Sequence, residues 1–429
     1  MEWYTYLLKI GELSLKKGNR AGFERILRQN LVTLLRGSKA SVTVTNGRFY
    51  VRTPSEGAGQ VEDALDRLMG ITGWARTKAV EKTPCAVRGA CIEVARELAE
   101  RGIKSFKVEA RRTDKRFPLD SYGIRCDAGQ AIREAVPALA VDVHTPQAII
   151  EVEIRERAYI YAMEQKGRRG LPSGTAGRGL LLLSGGIDSP AAGYMMLSRG
   201  MALDAVYFHA YPYTAEEARQ KVIRIAEILG SYSLGIRLFT VGFTAVQMRI
   251  KERAPLPWTT VLLRMAMMEC AEELALRRHC KCLITGESLS QVASQTAENI
   301  SCAQSRVSLP VFRPLIGMDK EQIIRVAESI GTYETSILPY EDCCVIFSPP
   351  HPILRGDSGE AGELYEKLEL SELIVDALNN SAVDRCGFPA VLTPLAGSSR
   401  YHPGLTGQAG TLPPPEGDRP GQIRWEEEI

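Results

Sequence analysis

The 429-residue chain is long enough for about three domains, and its formal net charge of +2 is too small to identify a partner. No apolar run approaches the roughly 18 residues of a membrane span, and the first residues lack the features of a signal peptide. Ten cysteines without a Cys-x-x-Cys pair, together with five histidines, argue against a disulfide scaffold and a structural zinc site. We therefore expect a cytoplasmic protein that has no membrane association and no metal held by protein ligands alone.

Residues 1–80 have the β-α-β-β-α-β order of a ferredoxin-like domain. Asn46-Gly47, the strongest short signal for a hairpin turn, lies between two alternating runs. The predicted elements are a strand over 4–9, a helix over 18–35, strands over 41–45 and 48–51, a helix over 61–69 and a strand over 73–80.

Residues 81–170 form a second predicted module of the α+β class, with a helix over 87–100, a strand over 105–110 and a hairpin over 148–162. Six basic residues cluster here within 13 positions: Lys104, Lys107, Arg111, Arg112, Lys115 and Arg116. Such a cluster suits contacts with RNA phosphates, although a solvated basic face would look the same by charge alone. The run from Phe106 to Pro118 resembles the THUMP domain, an RNA-binding module of tRNA-modifying enzymes, and this resemblance favours RNA binding.

Strands and helices alternate from residue 180 onward, which predicts a third, Rossmann-like domain over 171–385 with a parallel sheet between helices. Ligands of such sheets bind beyond the carboxyl ends of the strands. The loops after Leu183, Phe208 and Thr285 should therefore converge on one crevice. Five prolines and five glycines in the last 29 residues predict that 386–429 is a disordered tail.

The stretch Ser184-Gly185-Gly186-Ile187-Asp188-Ser189 follows an apolar strand and opens a helix, the arrangement with which α/β proteins hold phosphate. The serine hydroxyls can donate to phosphate oxygens, and the carboxylate of Asp188 suggests Mg²⁺ between it and the phosphates. No Gly-Lys-[Ser/Thr] follows, which excludes a Walker A loop. The stretch resembles the SGGxDS signature of PP-loop ATP pyrophosphatases, which release pyrophosphate from ATP while they adenylate a substrate. An ordinary strand–helix turn is the simpler alternative.

Two further stretches of the third domain carry residues that suit a nucleotide. Gly286 permits close approach of a ligand, and Gln295 can bond to adenine or ribose, although a turn before a capped helix fits as well. Arg264 lies in an apolar run and either extends to solvent or serves as an anion partner. Asp319 is a predicted helix N-cap, and Lys320 in the following turn opposes the helix dipole, which points to an anionic ligand such as pyrophosphate.

Cys343 and Cys344 lie among prolines and acids, so we expect them in a loop, where thiols are candidates for redox or transfer chemistry. The neighbouring acids would raise the pKa of these thiols, which weakens the case from local sequence.

Taken together, residues 1 to about 370 resemble the tRNA 4-thiouridine synthetase family, the tRNA uracil 4-sulfurtransferases. The matching motifs are SGGIDSP at 184–190, TGESLSQVASQT at 285–296, RPLIGMDKEQII at 313–324 and PYEDCC at 339–344. Some family members carry a C-terminal rhodanese domain whose cysteine holds a persulfide, and the Pro/Gly-rich tail of this chain does not look like one.

The resemblance implies which residues act. ATP contacts are expected at Leu182, Leu183, Ser184, Gly185, Gly186, Asp188, Ser189, Tyr207, Phe208, Arg264, Gly286 and Gln295. Asp188 and Lys320 match residues of the adenylation step, Cys343 matches the cysteine of sulfur transfer, and Cys344 can resolve the resulting disulfide. The substrates would be ATP with Mg²⁺ and a tRNA, by resemblance at uridine 8. A cysteine desulfurase would supply sulfur, while a thiamine-pathway sulfur carrier and a homodimer stay open.

Two other functions fit parts of the sequence. An amide-forming PP-loop ligase would use ammonia instead of sulfur, but the RNA-binding module and the adjacent cysteines count against it. A non-enzymatic tRNA-binding protein would have a degenerate nucleotide site, whereas the loop from Ser184 to Ser189 is intact.

Overall fold

The computed structural model describes residues 2–15, 18–340 and 349–387 of the chain. The chain divides into two compact units, Met1–Pro172 and Ser173–Ile429. Within the described ranges, no helix combines the length and apolar character that a membrane crossing requires. Cys343, Cys344 and residues 388–429 of the predicted tail lie outside the described residues. The tail was predicted to begin at Cys386, but that residue ends a strand (Ala382–Cys386) and is buried.

The first unit is a nine-stranded sheet with helices. Its strands are β1 (Trp3–Ile10), β2 (Ser41–Thr45), β3 (Arg48–Pro54), β4 (Ile71–Val80), β5 (Ser105–Arg112), β6 (Ala140–Val141), β7 (Ala148–Ile154), β8 (Ala158–Tyr161) and β9 (Gln165–Lys166). Its helices are α1 (Arg20–Leu34), α2 (Ala58–Arg67), α3 (Pro84–Glu100) and α4 (Ser121–Ala135). The strand order is β2-β3-β1-β4-β8-β7-β5-β6, and β9 pairs with β4.

The long strand β4 joins the two predicted modules of this unit into one sheet. Residues 71–77 pair with β1, and residues 78–80 pair with β8. Both predicted hairpins, β2–β3 and β7–β8, are present as antiparallel pairs. The limits drawn at residues 80 and 170 stay a prediction, because the two modules share their strands within a single compact unit.

Successive residues of a strand in this sheet point to opposite faces, and each face packs into a different hydrophobic core. Tyr6 and Leu8 of β1 pack with α1 and α2, whereas Leu7 lies on the opposite face with Tyr50 and Tyr161. Helix α4 was not predicted, because its sequence contains two glycines and few large apolar residues. Its Ile124, Ala128 and Ile132 are nevertheless buried at the spacing of one helical face.

The second unit contains the predicted Rossmann-like sheet. Its strands are β10 (Arg178–Leu182), β11 (Ala202–His209), β12 (Ile236–Gly242), β13 (Leu283–Ile284), β14 (Val311–Phe312) and β15 (Ala382–Cys386). The helices described are α5 (Asp188–Ser198), α6 (Glu216–Ser231), α7 (Thr244–Arg253), α8 (Thr259–Arg277), α9 (Ala297–Gln304), α10 (Lys320–Ile330), α11 (Tyr333–Ser336), α12 (Ser358–Glu366) and α13 (Ser371–Asn379).

The strand order β14-β13-β10-β11-β12-β15 brings β10 to the middle of the sheet, with β13 and β11 on either side. All pairs are parallel except β12–β15, so the prediction of a parallel sheet is confirmed for five strands and an antiparallel edge strand is added. Consequently, the loops that follow β10, β11 and β13 leave the sheet at the same edge, as the sequence predicted.

Helix α8 is buried along most of its length and forms the centre of the main core of this unit. Cys280 and Cys282 are buried, at 3% and 1% exposed. Burial raises the pKa of Cys280 to about 12 and that of Cys282 to about 11, so both thiols stay protonated near neutral pH.

The first testable prediction concerns the contact between α6 and the edge strand β15. A methyl group on Gly230 would lie 2.4 Å from the carbonyl oxygen of Cys386, and this backbone can give way only by moving β15. We expect Gly230→Ala to lower the free energy of unfolding by about 1–3 kcal/mol in denaturant titrations. The control is Gly362→Ala in α12, where an added methyl group would have no atom within 4 Å. This change should raise the free energy of unfolding by up to about 1 kcal/mol. Equal effects of the two changes would contradict the close contact.

Candidate active site

The loop between β10 and α5 is closed by its two serines. The Ser184 backbone N–H donates to Ser189 Oγ at 2.9 Å, and the Gly186 N–H donates to Ser184 Oγ at 3.3 Å. The two hydroxyl oxygens are 3.2 Å apart, and Ser189 is only 5% exposed. The hydroxyl of Ser189 therefore ties the start of α5 to the end of β10, and its predicted contact with phosphate stays a prediction.

Asp188, the first residue of α5, brings together three segments that are distant in sequence. Its Oδ1 accepts from Lys320 Nζ at 2.6 Å, and its Oδ2 accepts from Gln291 Nε2 at 2.9 Å. The two residues named for the adenylation step are thus in direct contact. Gln291 was not predicted as part of the site.

Lys320 reaches Asp188 because of where α10 begins. The side chain of Asp319 accepts from the Gln322 backbone N–H, and Gln322 reciprocates at the N-cap, which makes a capping box that starts the helix at Lys320. The predicted N-cap is therefore present. The unfavourable position of a cation in the first turn is offset by its ion pair with Asp188.

Gly286 allows the loop after β13 to touch the segment that joins β10 to the first turn of α5, residues 183–189, which we call the phosphate loop. A methyl group there would lie 2.7 Å from the Ser189 backbone nitrogen and 2.8 Å from the carbonyl carbon of Asp188. Only a glycine fits this approach without displacing backbone, as the sequence suggested. The side chain of Gln295 accepts from the Ser288 N–H at 3.3 Å and so supports its own loop.

Glu287 is a buried carboxylate that the sequence analysis missed. It is 3% exposed and accepts from Arg313 Nε at 2.6 Å, from Thr285 Oγ1 at 2.9 Å and from Arg264 in a short contact. The guanidinium of Arg264 thus pairs with a protein carboxylate, and its predicted contact with an anionic ligand stays a prediction. The two arginines are 23 and 26 residues from Glu287, and no local pattern links them to it.

The charges around Glu287 keep it ionised. Burial alone would raise its pKa, but the charges of Arg264 and Arg313, with hydrogen bonds from Arg313 and Thr285, lower the pKa below its ordinary value. Two cations against one carboxylate leave an excess of positive charge. Within the described residues, Arg264 Nε and Arg313 Nη2 are buried without a hydrogen-bond partner. These unused donors and the excess charge suit an anionic ligand such as a nucleotide.

Tyr207 and Phe208 lie near the end of β11 and are 2% and 6% exposed. Phe208 packs against Phe243 with ring centroids 4.7 Å apart, and Tyr207 lies beside His209 on the other face. With their rings occupied in this way, the predicted contact of these residues with ATP would involve their backbone. Leu182 is the last residue of β10, and Leu183 follows it. The Leu183 N–H still donates to the Val206 carbonyl of β11, at 2.9 Å.

The candidate RNA-binding cluster of the first unit is not uniform. Lys104, Arg111 and Lys115 are exposed, whereas Lys107 pairs with Glu109 and the exposed Arg116 pairs with Asp114.

Arg112 has a structural role within this cluster. Its Nη1 donates to the carbonyl oxygens of Lys115, Phe117 and Leu119 at 3.3, 2.9 and 3.2 Å. We therefore interpret Arg112 as the residue that holds the following loop, whereas Arg111 next to it points to solvent.

Comparison with known proteins identifies the family. Residues 174–370 match the family model described as thiamine biosynthesis protein (ThiI), residues 5–75 match the ThiI ferredoxin-like domain, and residues 86–162 match the THUMP domain. The chain is 50% identical over 375 residues to a probable tRNA sulfurtransferase of Treponema pallidum, covering 87% of this chain and 93% of that protein. The chain belongs to the ThiI family of tRNA sulfurtransferases.

Other relatives agree with this family. A probable tRNA sulfurtransferase of Caldanaerobacter subterraneus is 44% identical, over 86% of this chain and 96% of its own length. Among solved structures, a 4-thiouridine synthetase in complex with RNA and ATP is 34% identical with a TM-score of 0.84, covering 90% of this chain and all of that chain. The ferredoxin-like, THUMP and Rossmann-like parts predicted from the sequence are therefore confirmed as fold classes.

A second prediction tests the ion cluster around Glu287. The pKa of its carboxyl is lowered on folding, so its contribution to stability is present above its ordinary pKa of 4.5 and is lost as the pH falls through the folded pKa. We expect Glu287→Gln to lower the free energy of unfolding by about 3 kcal/mol at pH 7, and the difference from the wild type to shrink in acid. Denaturant titrations from pH 3 to 8 measure it.

Glu273→Gln in α8 is the matched control, because Glu273 is half-exposed and pairs with Arg277 one turn away. This change should lower the free energy of unfolding by less than about 1 kcal/mol. A Glu287 effect that is small, or that does not change with pH, would contradict the lowered pKa.

A third prediction separates the two adjacent arginines of the THUMP-like module. We expect Arg111→Ala to reduce the slope of log tRNA affinity against log salt by about 0.9 and to leave the unfolding free energy unchanged. Arg112→Ala should instead lower that free energy by about 1–3 kcal/mol, since three carbonyl groups lose their donor. Filter binding at several salt concentrations measures the slope, and denaturant titration measures the free energy of unfolding. A reduced slope for Arg112→Ala with an unchanged slope for Arg111→Ala would mean that Arg112 is the RNA contact.

Proposed function

We propose that this enzyme uses ATP to exchange O4 of a uridine in tRNA for sulfur, which gives 4-thiouridine, with uridine 8 as the target. The contact of Asp188 with Lys320 at the phosphate loop is the observation that carries the proposal, because it puts a carboxylate and a cation where ATP phosphates would bind. Support also comes from the named tRNA sulfurtransferases and from the similar 4-thiouridine synthetase that binds RNA and ATP.

The first half of the reaction is adenylation. The uridine O4 forms a bond to the α-phosphorus of ATP, and the bond to pyrophosphate breaks. Lys320 is positioned to stabilise the negative charge that develops on the departing pyrophosphate. The backbone N–H groups at the start of α5 and the unused donors of Arg264 and Arg313 supply further positive potential.

Mg²⁺ fits this site only together with the nucleotide. Among the described residues, no group of three or more His, Cys, Asp or Glu side chains could hold a metal ion. Asp188 is one carboxylate at the phosphate loop, and Mg²⁺ is commonly held by one or two carboxylates, substrate phosphates and water. We infer that Asp188 would be the protein ligand of an ion that neutralises the phosphates.

The second half is sulfur transfer. A cysteine desulfurase would load Cys343 as a persulfide, whose terminal sulfur attacks C4 of the adenylated base while AMP leaves with the former O4. Cys344 then attacks Sγ of Cys343, which releases the thiolated base and leaves a disulfide for a cellular thiol to reduce. The reducing cytoplasm, where tRNA and ATP are present, is the compartment that suits this chemistry. A sulfur carrier of thiamine synthesis would draw on the same persulfide, a link that the family description supports.

A fourth prediction tests adenylation. Asp188→Ala should lower tRNA-dependent AMP formation by about 100-fold or more, because the phosphate site loses its carboxylate, while tRNA affinity stays within about twofold. AMP and 4-thiouridine are measured together after incubation with ATP, tRNA and sulfide. Glu372→Ala, an exposed acid of α13, is the control and should keep full activity. An equal loss of tRNA binding and AMP formation would contradict the division between the two units.

A fifth prediction tests the sulfur route. Cys343→Ser should still form AMP at the wild-type rate in a single turnover but should fail to give 4-thiouridine with a desulfurase, because the accepting thiolate is gone. High free sulfide should restore some thiolation, since it can attack the adenylated base directly. Cys344→Ser should complete one turnover and slow later ones. Full desulfurase-dependent thiolation by Cys343→Ser together with its loss in Cys344→Ser would reverse the two roles.

A further inference from the structure

The loop after β11 lies next to the phosphate loop and extends beyond it. Leu182 at the end of β10 pairs with Val206, and β11 continues for three more residues to His209. At a rise of about 3.3 Å per residue, β11 therefore ends about 10 Å farther along the strand direction than β10. Tyr211 follows two residues later. Tyr211 therefore lies on the loop that leaves the sheet beside the phosphate loop, because β11 neighbours β10.

The backbone at Tyr211 is fixed although its side chain is exposed. The N–H groups of Tyr213 and Thr214 donate to the Ala210 carbonyl at 2.7 and 3.0 Å, and the Ala210 N–H donates to Thr214 Oγ1 at 3.1 Å. Thr244 Oγ1 donates to the Tyr211 carbonyl at 2.7 Å. Tyr211 is 71% exposed on this fixed loop. A large aromatic surface held in water at low cost in conformational entropy suits binding rather than core packing.

The surroundings of Tyr211 favour a base over a phosphate. Two acids, Glu216 and Glu217, begin α6 a few residues away, and since Arg219 pairs with Glu216 this helix start carries no net cation that would attract phosphate. On the other side of the phosphate loop, the loop after β13 exposes Leu289 and Val292, each 51% exposed. The two loops that flank the phosphate loop in the strand order thus each expose apolar or aromatic side chains.

On the basis of the proposed function, we propose that Tyr211 stacks on the target uracil base and holds it at the nucleotide. A base must leave its stack before its O4 can reach the α-phosphorus, and RNA-binding proteins receive such bases on aromatic rings. Tyr211 would then be a positioning residue of the adenylation step. Tyr213 differs, because its hydroxyl donates to Met248 Sδ of α7 at 3.7 Å and it is less exposed, at 48%.

The test compares four variants by the single-turnover rate of AMP formation at saturating tRNA. Tyr211→Ala and Tyr211→Leu should lower this rate by about 5- to 150-fold, the range expected for one lost base–aromatic stack, whereas Tyr211→Phe should stay within about twofold of the wild type. Leu234→Ala, an exposed apolar residue before β12 at the opposite edge of the sheet, should have no effect. The affinity for ATP should change by less than about twofold, and the affinity for tRNA should fall by a smaller factor than the rate, because phosphate contacts dominate tRNA affinity.

A second measurement reports the stack itself. A fluorescent uridine analogue at the target position should be quenched when tRNA binds the wild type and Tyr211→Phe, and should stay bright with Tyr211→Ala. Wild-type rates in Tyr211→Ala, full activity in Tyr211→Leu, or unchanged quenching would overturn the proposal. A wild-type enzyme that forms AMP but is insensitive to Tyr211 refutes this inference alone, whereas a wild type that forms no AMP with tRNA refutes the proposed function.

Discussion

The buried carboxylate of Glu287 ties together the parts of the second unit that make the site. Through Arg264 it binds the central helix α8, and through Arg313 it binds the segment after β14. Removing these charges from water is costly, and the cost is offset only because the carboxylate is fully hydrogen-bonded. The neighbouring Gly286 depends on this anchor, since its close approach to the backbone of Asp188 and Ser189 leaves no room for a shift. The ion cluster around Glu287 therefore holds the segment that packs against the phosphate loop.

Gly286 packs directly against the backbone of Asp188. An isolated carboxylate would be favourable at the N-terminus of α5 but would repel the phosphates that this helix end attracts. Lys320 and Gln291 counter that repulsion by binding both carboxylate oxygens. The capping box at Asp319 matters for this reason, because it begins α10 where Lys320 can reach across. Local helix-capping chemistry thus determines the electrostatics of a site built from three distant segments.

The sequence could predict the features that depend on short-range signals. The Asn46-Gly47 hairpin, the Asp319 cap and the strand–turn–helix around Ser184 are all present, since each depends on the backbone preferences of a few adjacent residues. It could not predict pairings between distant residues. In the sequence, Glu287, Arg313 and Arg112 look like ordinary surface charges. Only the fold brings Glu287 to Arg313, and Arg112 to the loop at 115–119. The edge strand β15 was missed because Ala382–Cys386 has too few apolar residues to alternate.

The structure limits which cysteines could act as nucleophiles, a question that composition alone leaves open. Of the ten cysteines, six are buried in the described part of the chain: Cys91, Cys270, Cys280, Cys282, Cys302 and Cys386. Desolvation raises the pKa of each of these thiols, and a protonated thiol is a poor nucleophile. Cys85 and Cys126 are exposed but belong to the first unit, which has no phosphate loop. Burial therefore argues against these six thiols as sulfur carriers, whereas the roles proposed for Cys343 and Cys344 rest on their sequence motif and stay a prediction.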